Sequence, residues 1–275
     1  SFAAGIPPRG PMAFMSQSGA LGAAILDWAQ AGRLGLSKFV SLGNKADVNE
    51  IDLLRAWAQD EHTRVILVYS EELSNGQEFI QAAREVTRLK PVIAIKSGVT
   101  PAGARAVSSH TGSLAGSEQA YQAAFLQAGV LQASSLESLF DMALGLGYQP
   151  PLQGERIAIV TNAGGPGVTA ADALEARGLK MADFNQKTID SLAKILPAAA
   201  SLLNPVDMLA GAGPEQFAGC LQAMLDDPGT DSVMVIYPTP PMHTAGAVAK
   251  ALIPIIHQAD KPVVVSVMGE RLIQE

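Results

Sequence analysis

Residues 108–116, which read SSHTGSLAG, contain the side chain of this sequence best suited to reversible covalent chemistry. His110 is surrounded there by small hydroxylic and glycine residues, with no bulky side chain to bury its imidazole. A neutral imidazole nitrogen is nucleophilic at physiological pH, and the backbone N–H groups of such a segment are open to an anion. We therefore consider His110 a candidate nucleophile and Ser109, Thr111 and Gly112 candidate phosphate-binding residues. A histidine in an ordinary turn is the alternative.

Two further glycine-rich segments each join a predicted strand to a predicted helix, one in each half of the chain. A helix N-terminus has unpaired N–H groups and a partial positive charge, and both attract phosphate. Neither segment has the spacing of a dinucleotide fingerprint or the Gly-Lys-Ser/Thr ending of a P-loop. Close packing of strand against helix is the alternative explanation for the glycines, and two equivalent segments in one chain make it less attractive. The candidate phosphate-binding residues are Ser16, Gln17, Ser18, Gly19, Ala20, Asn162, Ala163, Gly164, Gly165, Pro166 and Gly167.

A histidine that accepts phosphate needs an acceptor to orient its second ring nitrogen, and a carboxylate usually provides it. Glu71 and Glu72 follow the predicted strand 65–69 and should lie at the carboxyl edge of the sheet. Because side chains alternate along a strand, only one of them should point inward, and we favour Glu71. Two solvated glutamates are the alternative. The sequence has no spacing typical of metal ligands, so we expect no metal site in this chain.

The predicted elements occur in the same order twice. In the first half, strands at 11–15, 39–42, 65–69 and 91–96 alternate with helices at 18–32, 51–58, 77–89, 117–127 and 136–145. A Pro/Gly-rich linker at 147–154 follows. Strands at 156–160, 233–237 and 261–265 then alternate with helices that end at Ala176 and Leu225.

Five landmarks recur at similar spacing, including a Lys-Pro-Val strand start at Lys90 and again at Lys261. We predict an α/β protein with two consecutive flavodoxin-like, doubly wound parallel-sheet domains. The first spans residues 1–148, and the second spans 149–275 and is truncated at its C-terminus. Two unrelated α/β halves are the alternative.

The composition argues against several classes of protein. The net charge is −7 and lysines and arginines do not cluster, so nucleic acid and anionic membrane surfaces are not expected partners. No signal peptide is visible and no apolar run approaches the ~20 residues that span a bilayer, so we expect a cytoplasmic protein. The single cysteine, Cys220, lies in an apolar helical pattern and should be a buried, inert thiol. The chain starts without Met and ends after a predicted strand, which indicates a piece of a longer protein.

These motifs together resemble the NDP-forming acyl-CoA synthetases, the superfamily that includes succinyl-CoA synthetase. Residues 16–22, 41–47 and 108–116 are similar to that family's ligase domain. Residues 161–167 and 204–207 are similar to its second flavodoxin-like domain. The resemblance covers essentially the whole chain, in order.

The resemblance implies that acyl-CoA, phosphate and ADP react reversibly to give the free acid, CoA and ATP. Acyl phosphate would phosphorylate His110, which then passes the phosphoryl group to the nucleotide, and the two glycine-rich helix N-termini, one from each domain, would together hold the phosphohistidine. Glu71 matches the family's carboxylate partner of that histidine, although Glu72 stands where the family usually has glycine.

The family's CoA-binding and ATP-grasp domains are not found in this sequence. They would lie in the same polypeptide or in a second subunit, and they would bind most of the coenzyme A and the ADP or ATP with Mg²⁺. A homo-oligomer is compatible with this resemblance. We therefore expect the chain to be inactive alone.

Two other functions stay open. Some protein lysine acetyltransferases carry a synthetase-like region that senses acyl-CoA, and this chain would then be that region of a fusion. The presence of His110 favours the ligase, because a sensor needs no phosphorylatable residue. A non-catalytic flavodoxin-like binding module is the second alternative.

Overall fold

The computed structural model of this protein describes residues 5–32, 34–98, 100, 102–103, 105 and 118–269. The chain divides into two compact units, Ser1–Tyr148 and Gln149–Glu275. Each unit contains one sheet whose strand pairs are all parallel, with helices on both faces. The predicted α/β class with two doubly wound sheets is therefore confirmed.

The sheet of the first unit has the strand order β2-β1-β3-β4-β5, which is the flavodoxin order. Its strands are β1 (Arg9–Ser16), β2 (Leu36–Ser41), β3 (Val65–Ser70), β4 (Val92–Lys96) and β5 (Leu131–Gln132). Its helices are α1 (Gly19–Ala31), α2 (Glu50–Ala58), α3 (Gly76–Thr87), α4 (Glu118–Ala128) and α5 (Leu136–Tyr148).

Two apolar layers cover the two faces of this sheet. Phe14 of β1 packs on the face that α1 and α5 cover, in a cluster with Phe140. Its neighbour Met15 lies on the opposite face, in a cluster with Phe79 of α3. Both positions of the alternating strand are thus buried, which explains why the strand sequence is continuously apolar.

The second unit has the strand order β10-β9-β6-β7, and β8 also pairs with β6. Its strands are β6 (Arg156–Thr161), β7 (Lys180–Met181), β8 (Val206–Asp207), β9 (Ser232–Pro238) and β10 (Val263–Met268). Its helices are α6 (Gly164–Glu175), α7 (Gln186–Ile195), α8 (Pro214–Leu225) and α9 (Ala245–Gln258). Leu174 of α6 packs on one face, and helices α7 to α9 pack on the other.

The repeated Lys-Pro-Val motif has the same structural role in both units. Lys90 Nζ donates to Trp57 O at the end of α2, at 3.1 Å. Lys261 Nζ donates to Leu225 O at the end of α8, at 2.6 Å. An ammonium at a helix C-terminus pairs carbonyls that have no partner within the helix and opposes the negative end of the dipole. The motif therefore marks equivalent positions in the two units.

The side chain of Asn204 occupies the gap between β7 and β8, which no pattern in the sequence predicted. Its Oδ1 accepts from Ile159 N at 2.8 Å, and its Nδ2 donates to Ile157 O at 2.8 Å and to Ala182 O at 3.0 Å. The amide thereby replaces the ladder hydrogen bonds that a continuous strand would make to β6. A single longer strand, β2, holds the equivalent place in the first unit.

The second glycine-rich segment differs from the expectation. We predicted that Gly164 to Gly167 precede the helix, but they form the first turn of α6, with Ala163 as the N-cap. Pro166 is tolerated there because N–H groups of a first turn have no partner within the helix.

Cys220 is fully buried, and burial raises the pKa of its thiol to about 12, which agrees with an inert thiol. Within the described ranges, no helix is long and apolar enough to cross a bilayer.

Candidate functional site

Strands β1, β3 and β4 end side by side at the carboxyl edge of the first sheet. The register pairs Ser16 with Tyr69 and Ser70 with Lys96. The side chain of Gln17, which follows β1, is buried, and its Oε1 accepts from the backbone N–H groups of Glu71 at 2.8 Å and Glu72 at 3.0 Å. A candidate phosphate-binding residue is thus hydrogen-bonded to the main chain of Glu71, which carries the candidate carboxylate.

The first glycine-rich segment presents an open helix N-terminus. Ser18 caps α1 by accepting from Leu21 N at 3.3 Å, while Gly19 and Ala20 are exposed. A Cβ at Gly22 would lie 2.8 Å from the Phe39 ring, so packing explains that glycine. A Cβ at Gly19 would meet no atom closer than 3.6 Å, so packing does not explain this one.

The second segment has the same layout in its own unit. Gly164 and Gly165 are exposed in the first turn of α6, and the N-cap Ala163 supplies no side-chain hydrogen bond. A Cβ at Gly167 would lie 3.2 Å from Thr161 Cγ2, whereas one at Gly165 would have no atom within 4 Å. In both units a Cβ at the inner glycine would be crowded against the sheet, whereas the outer glycine leaves the N-terminus accessible to an anion.

Asn162, which precedes this helix, has an open hydrogen-bonding position. Only 3% of the residue is exposed, and its Nδ2 donates to Pro238 O at 3.1 Å. Its Oδ1 is buried and has no partner among the described residues. Such a group usually has a partner, and a ligand that carries a donor would provide one.

The two candidate carboxylates have different surroundings. Glu71 is 8% exposed and Glu72 is half-buried. The Lys45 ammonium donates to Glu72 O at 2.6 Å, and Ser70 Oγ donates to the same carbonyl. The chain at β3's end is therefore held from several sides.

Lys96, the last residue of β4, places a buried positive charge beside this turn. Its Nζ lies 4.5 Å from the centroid of the Tyr121 ring. Burial lowers the pKa of Lys96, and the nearby carboxylates of Glu71 and Glu72 oppose that shift. Lys96 also lines a 460 Å³ cavity at the same edge of the sheet. The other residues around this cavity are Tyr69, Ile95, Ser97, Glu118, Gln122, Gln132, Ala133 and Ser134.

The sequence did not single out Lys45, Lys96 or Tyr121. The lysine at the end of an otherwise apolar strand could have indicated Lys96. Lys45 lies within residues 41–47, one of the segments that carry the family resemblance.

His110 and its neighbours Ser109, Thr111 and Gly112 lie outside the described residues. The segment that contains them connects β4 to α4. Ser97, the first residue after β4, donates its N–H to Ser70 O at 3.0 Å, directly before Glu71. The connection that follows β4 therefore starts, at Ser97, next to the candidate carboxylate. In the part of the chain that the structure describes, no group of three or more His, Cys, Asp or Glu could hold a metal ion.

Comparison with known proteins identifies both units. Residues 9–146 match the succinyl-CoA ligase like flavodoxin domain, and residues 157–275 match the Ligase-CoA domain. The chain is 48% identical over 231 residues to acetate–CoA ligase [ADP-forming] I of Archaeoglobus fulgidus, covering 84% of this chain and 33% of that protein. It is 41% identical over 262 residues to acetate–CoA ligase [ADP-forming] I subunit alpha of Pyrococcus furiosus, covering 94% of this chain and 56% of that subunit.

A solved structure gives the same result. The dinucleotide forming acetyl-coenzyme A synthetase 1 of Ca. Korarchaeum cryptofilum, in complex with phosphate and ADP, is similar with a TM-score of 0.90 at 38% identity. The match covers 97% of this chain and 58% of that one. The chain thus spans between a third and somewhat more than half of these relatives. It belongs to the succinyl-CoA ligase-like family of NDP-forming acyl-CoA synthetases.

Proposed function

We propose that this chain is the phosphoryl-relay core of an ADP-forming acyl-CoA synthetase, with His110 as the phosphoryl carrier. The observation that carries this proposal is the combination of family membership with a β4–α4 connection that starts, at Ser97, beside the buried Glu71 and contains His110 in its sequence. On this proposal, acyl-CoA, phosphate and ADP give the free acid, CoA and ATP.

The proposed relay has three steps. Phosphate attacks the thioester carbonyl, so that acyl phosphate forms and the CoA thiolate leaves. A neutral ring nitrogen of His110 then attacks phosphorus, and the carboxylate of the acid leaves. Finally an oxygen of ADP attacks the phosphohistidine, the P–N bond breaks and ATP forms, which returns His110 to its neutral state. The first step transfers the acyl group from sulfur to phosphate, and the next two transfer the phosphoryl group. Each step is reversible because the bonds that break and form are of comparable energy.

The Glu71 carboxylate would accept a hydrogen bond from the second ring nitrogen of His110. This bond selects the tautomer whose other nitrogen can attack, and it stabilises the positive charge that develops on the ring. The low exposure of Glu71, against the half-buried Glu72, supports its assignment to this role.

The exposed first turns of α1 and α6 would bind phosphoryl oxygens through backbone N–H groups. Donors that are already oriented stabilise a dianionic group without reorganising during the reaction. The absence of steric need for Gly19 and Gly165 supports this role.

The acid is proposed to be a small carboxylic acid, because acetate is the acid in the names of the two relatives described above. Further domains of the same polypeptide or of a second subunit would bind most of the coenzyme A and the ADP or ATP with Mg²⁺. Those domains are therefore the proposed partners of this chain.

Measuring ATP formation with and without the CoA-binding and ATP-grasp domains tests the proposal. We expect ATP formation from acetyl-CoA, phosphate and ADP when CoA-binding and ATP-grasp domains are supplied, and none from residues 1–275 alone. His110→Asn should abolish this ATP formation. Normal turnover by the chain alone, or full activity of His110→Asn, would contradict the proposal.

A further inference from the structure

Lys45 and Glu50 form a buried ion pair close to Glu71, the proposed carboxylate. Lys45 Nζ lies 2.9 Å from a carboxylate oxygen of Glu50, and the two side chains are 4% and 1% exposed. Burying two charges is costly, and apolar replacements of such pairs are often equally stable or more so. Stability is therefore a weak explanation for this pair.

Both members of the pair bind the same short segment, residues 71–74. Lys45 Nζ donates to Glu72 O at 2.6 Å. The Glu50 carboxylate accepts from Ser74 N at 2.7 Å and from Ser74 Oγ at 3.2 Å. Gln17 Oε1 binds the N–H groups of Glu71 and Glu72 from the other side. The main chain around Glu71 is thus held from two different connections of the sheet, by Gln17 after β1 and by Lys45 and Glu50 after β2.

The backbone of Lys45 supports the same conclusion independently. Its φ is 54°, in the left-handed region that residues other than glycine rarely adopt. Such a conformation persists only where the surrounding contacts determine it, and it is common at functional sites. Here those contacts are the Glu50 carboxylate and the Glu72 carbonyl.

We propose that the Lys45–Glu50 pair positions the Glu71 carboxylate for the phosphohistidine relay. This inference rests on the proposed function. Lys45 and Glu50 are positioning residues, because they act on the main chain around Glu71. Displacement of a catalytic group by about 1 Å can cost 10²-fold in rate, so this segment must be held rigidly.

The test replaces both charges with apolar side chains, in K45M/E50L. With CoA-binding and ATP-grasp domains supplied, we expect the rate of His110 phosphorylation to fall about 10- to 100-fold, the range typical of residues that orient a functional group. The melting temperature should fall by no more than a few degrees, because apolar replacement of the buried pair itself is tolerated and only the hydrogen bonds to Glu72 and Ser74 are lost. Arg55→Met is the matched control: it breaks the exposed α2–α3 ion pair between Arg55 and Glu78, 3.2 Å long, and should leave the rate unchanged.

A double-mutant cycle with Glu71→Gln distinguishes positioning from a general loss of structure. If the pair acts through Glu71, adding K45M/E50L to Glu71→Gln should lower the rate little further. Multiplied losses, or a wild-type rate in K45M/E50L, would overturn the inference. If K45M/E50L does not fold, Ser74→Ala removes only the hydroxyl bond to Glu50. It should lower the rate about two- to fivefold, and an unchanged rate would overturn the inference.

The cycle also separates this inference from the proposed function. If Glu71→Gln alone keeps the wild-type rate while His110→Ala is not phosphorylated, the relay stands and both the role of Glu71 and its positioning by this pair are wrong. If the wild type itself acquires no phosphoryl group at His110, the proposed function fails and this inference fails with it.

Discussion

The adjacent glutamates at the end of β3, Glu71 and Glu72, differ in how far the fold buries them. Glu71 is buried, whereas Glu72 is half-buried and has its carbonyl held by Lys45. A buried carboxylate loses its water ligands and needs a donor in return, which a histidine N–H would provide. The glutamate with the smaller exposed fraction is therefore the stronger candidate for chemistry.

Separate substitution of the two glutamates tests this assignment. We expect Glu71→Gln to lower the rate of His110 phosphorylation by about 10- to 100-fold, because an amide oxygen stabilises an imidazolium less well than a carboxylate. Glu72→Gln should stay within about threefold of the wild type. Equal losses in both variants, measured as initial rates with the other domains supplied, would contradict the assignment.

Asp231 gives the second unit a pH-dependent contribution to stability. Arg156 holds its carboxylate through two side-chain bonds, of 2.9 and 2.7 Å, and through its backbone N–H at 2.9 Å. These hydrogen bonds from Arg156 lower the pKa of Asp231 to about 2. Since the folded-state pKa lies below the unfolded value of about 4, the contribution is complete above that pH and disappears as the pH falls towards 2.

Asp231→Asn should therefore lower the melting temperature at pH 7 by a few degrees. The difference from the wild type should shrink between pH 4 and pH 2, because the wild-type carboxylate is protonated over that range. Thermal unfolding followed by circular dichroism at several pH values measures this difference. A difference that is independent of pH would show that the ion pair is not its cause.

At the scale of elements, helices α1 and α6 start in equivalent ways. Each has an exposed outer glycine in its first turn and a buried inner glycine against the sheet. The inner glycine thus serves close packing, and the outer glycine leaves the helix N-terminus accessible to an anion. The sequence alone does not show which glycine has which role; we call this the division between the two glycines.

Two glycine-to-alanine substitutions test the division. Gly22→Ala should destabilise the protein by about 1 kcal/mol, because the new methyl group is forced against Phe39 and only part of that cost is offset by better helix propensity. Gly165→Ala should be neutral or stabilise by up to about 1 kcal/mol, yet weaken phosphate binding. Urea unfolding and ³¹P NMR titration measure the two effects. Loss of stability in Gly165→Ala would contradict the division.

The sequence predicted most of the long elements, because apolar strands and amphipathic helices repeat over many residues, but it missed the helices α7 and α9 of the second unit. It did not predict β5, β7 and β8, which are two residues long and show no period. The start of α6 was placed too late, because glycine and proline disfavour helix interiors although a first turn tolerates them. The Lys45–Glu50 pair was also missed, since its partner Ser74 is brought close only by the fold.

At the scale of the whole molecule, the chain contains two units of one architecture and spans a third to somewhat more than half of its relatives. Each unit uses a lysine at the start of a strand to bind the end of the preceding helix. On the proposed function, the first unit provides the histidine and its carboxylate, and both units provide helix N-termini for phosphate. The nucleotide and most of the coenzyme A would be bound elsewhere.

The central claim is that His110 carries the phosphoryl group. The most direct measurement is incubation of the wild type and His110→Ala with ³²P-labelled acetyl phosphate, with CoA-binding and ATP-grasp domains supplied, followed by peptide mapping. We predict acid-labile label on the wild-type peptide that contains His110 and none on the variant. Equal label on both proteins would contradict the claim. So would an unlabelled wild type, which is the result expected of an acyl-CoA-sensing region or of a flavodoxin-like binding module.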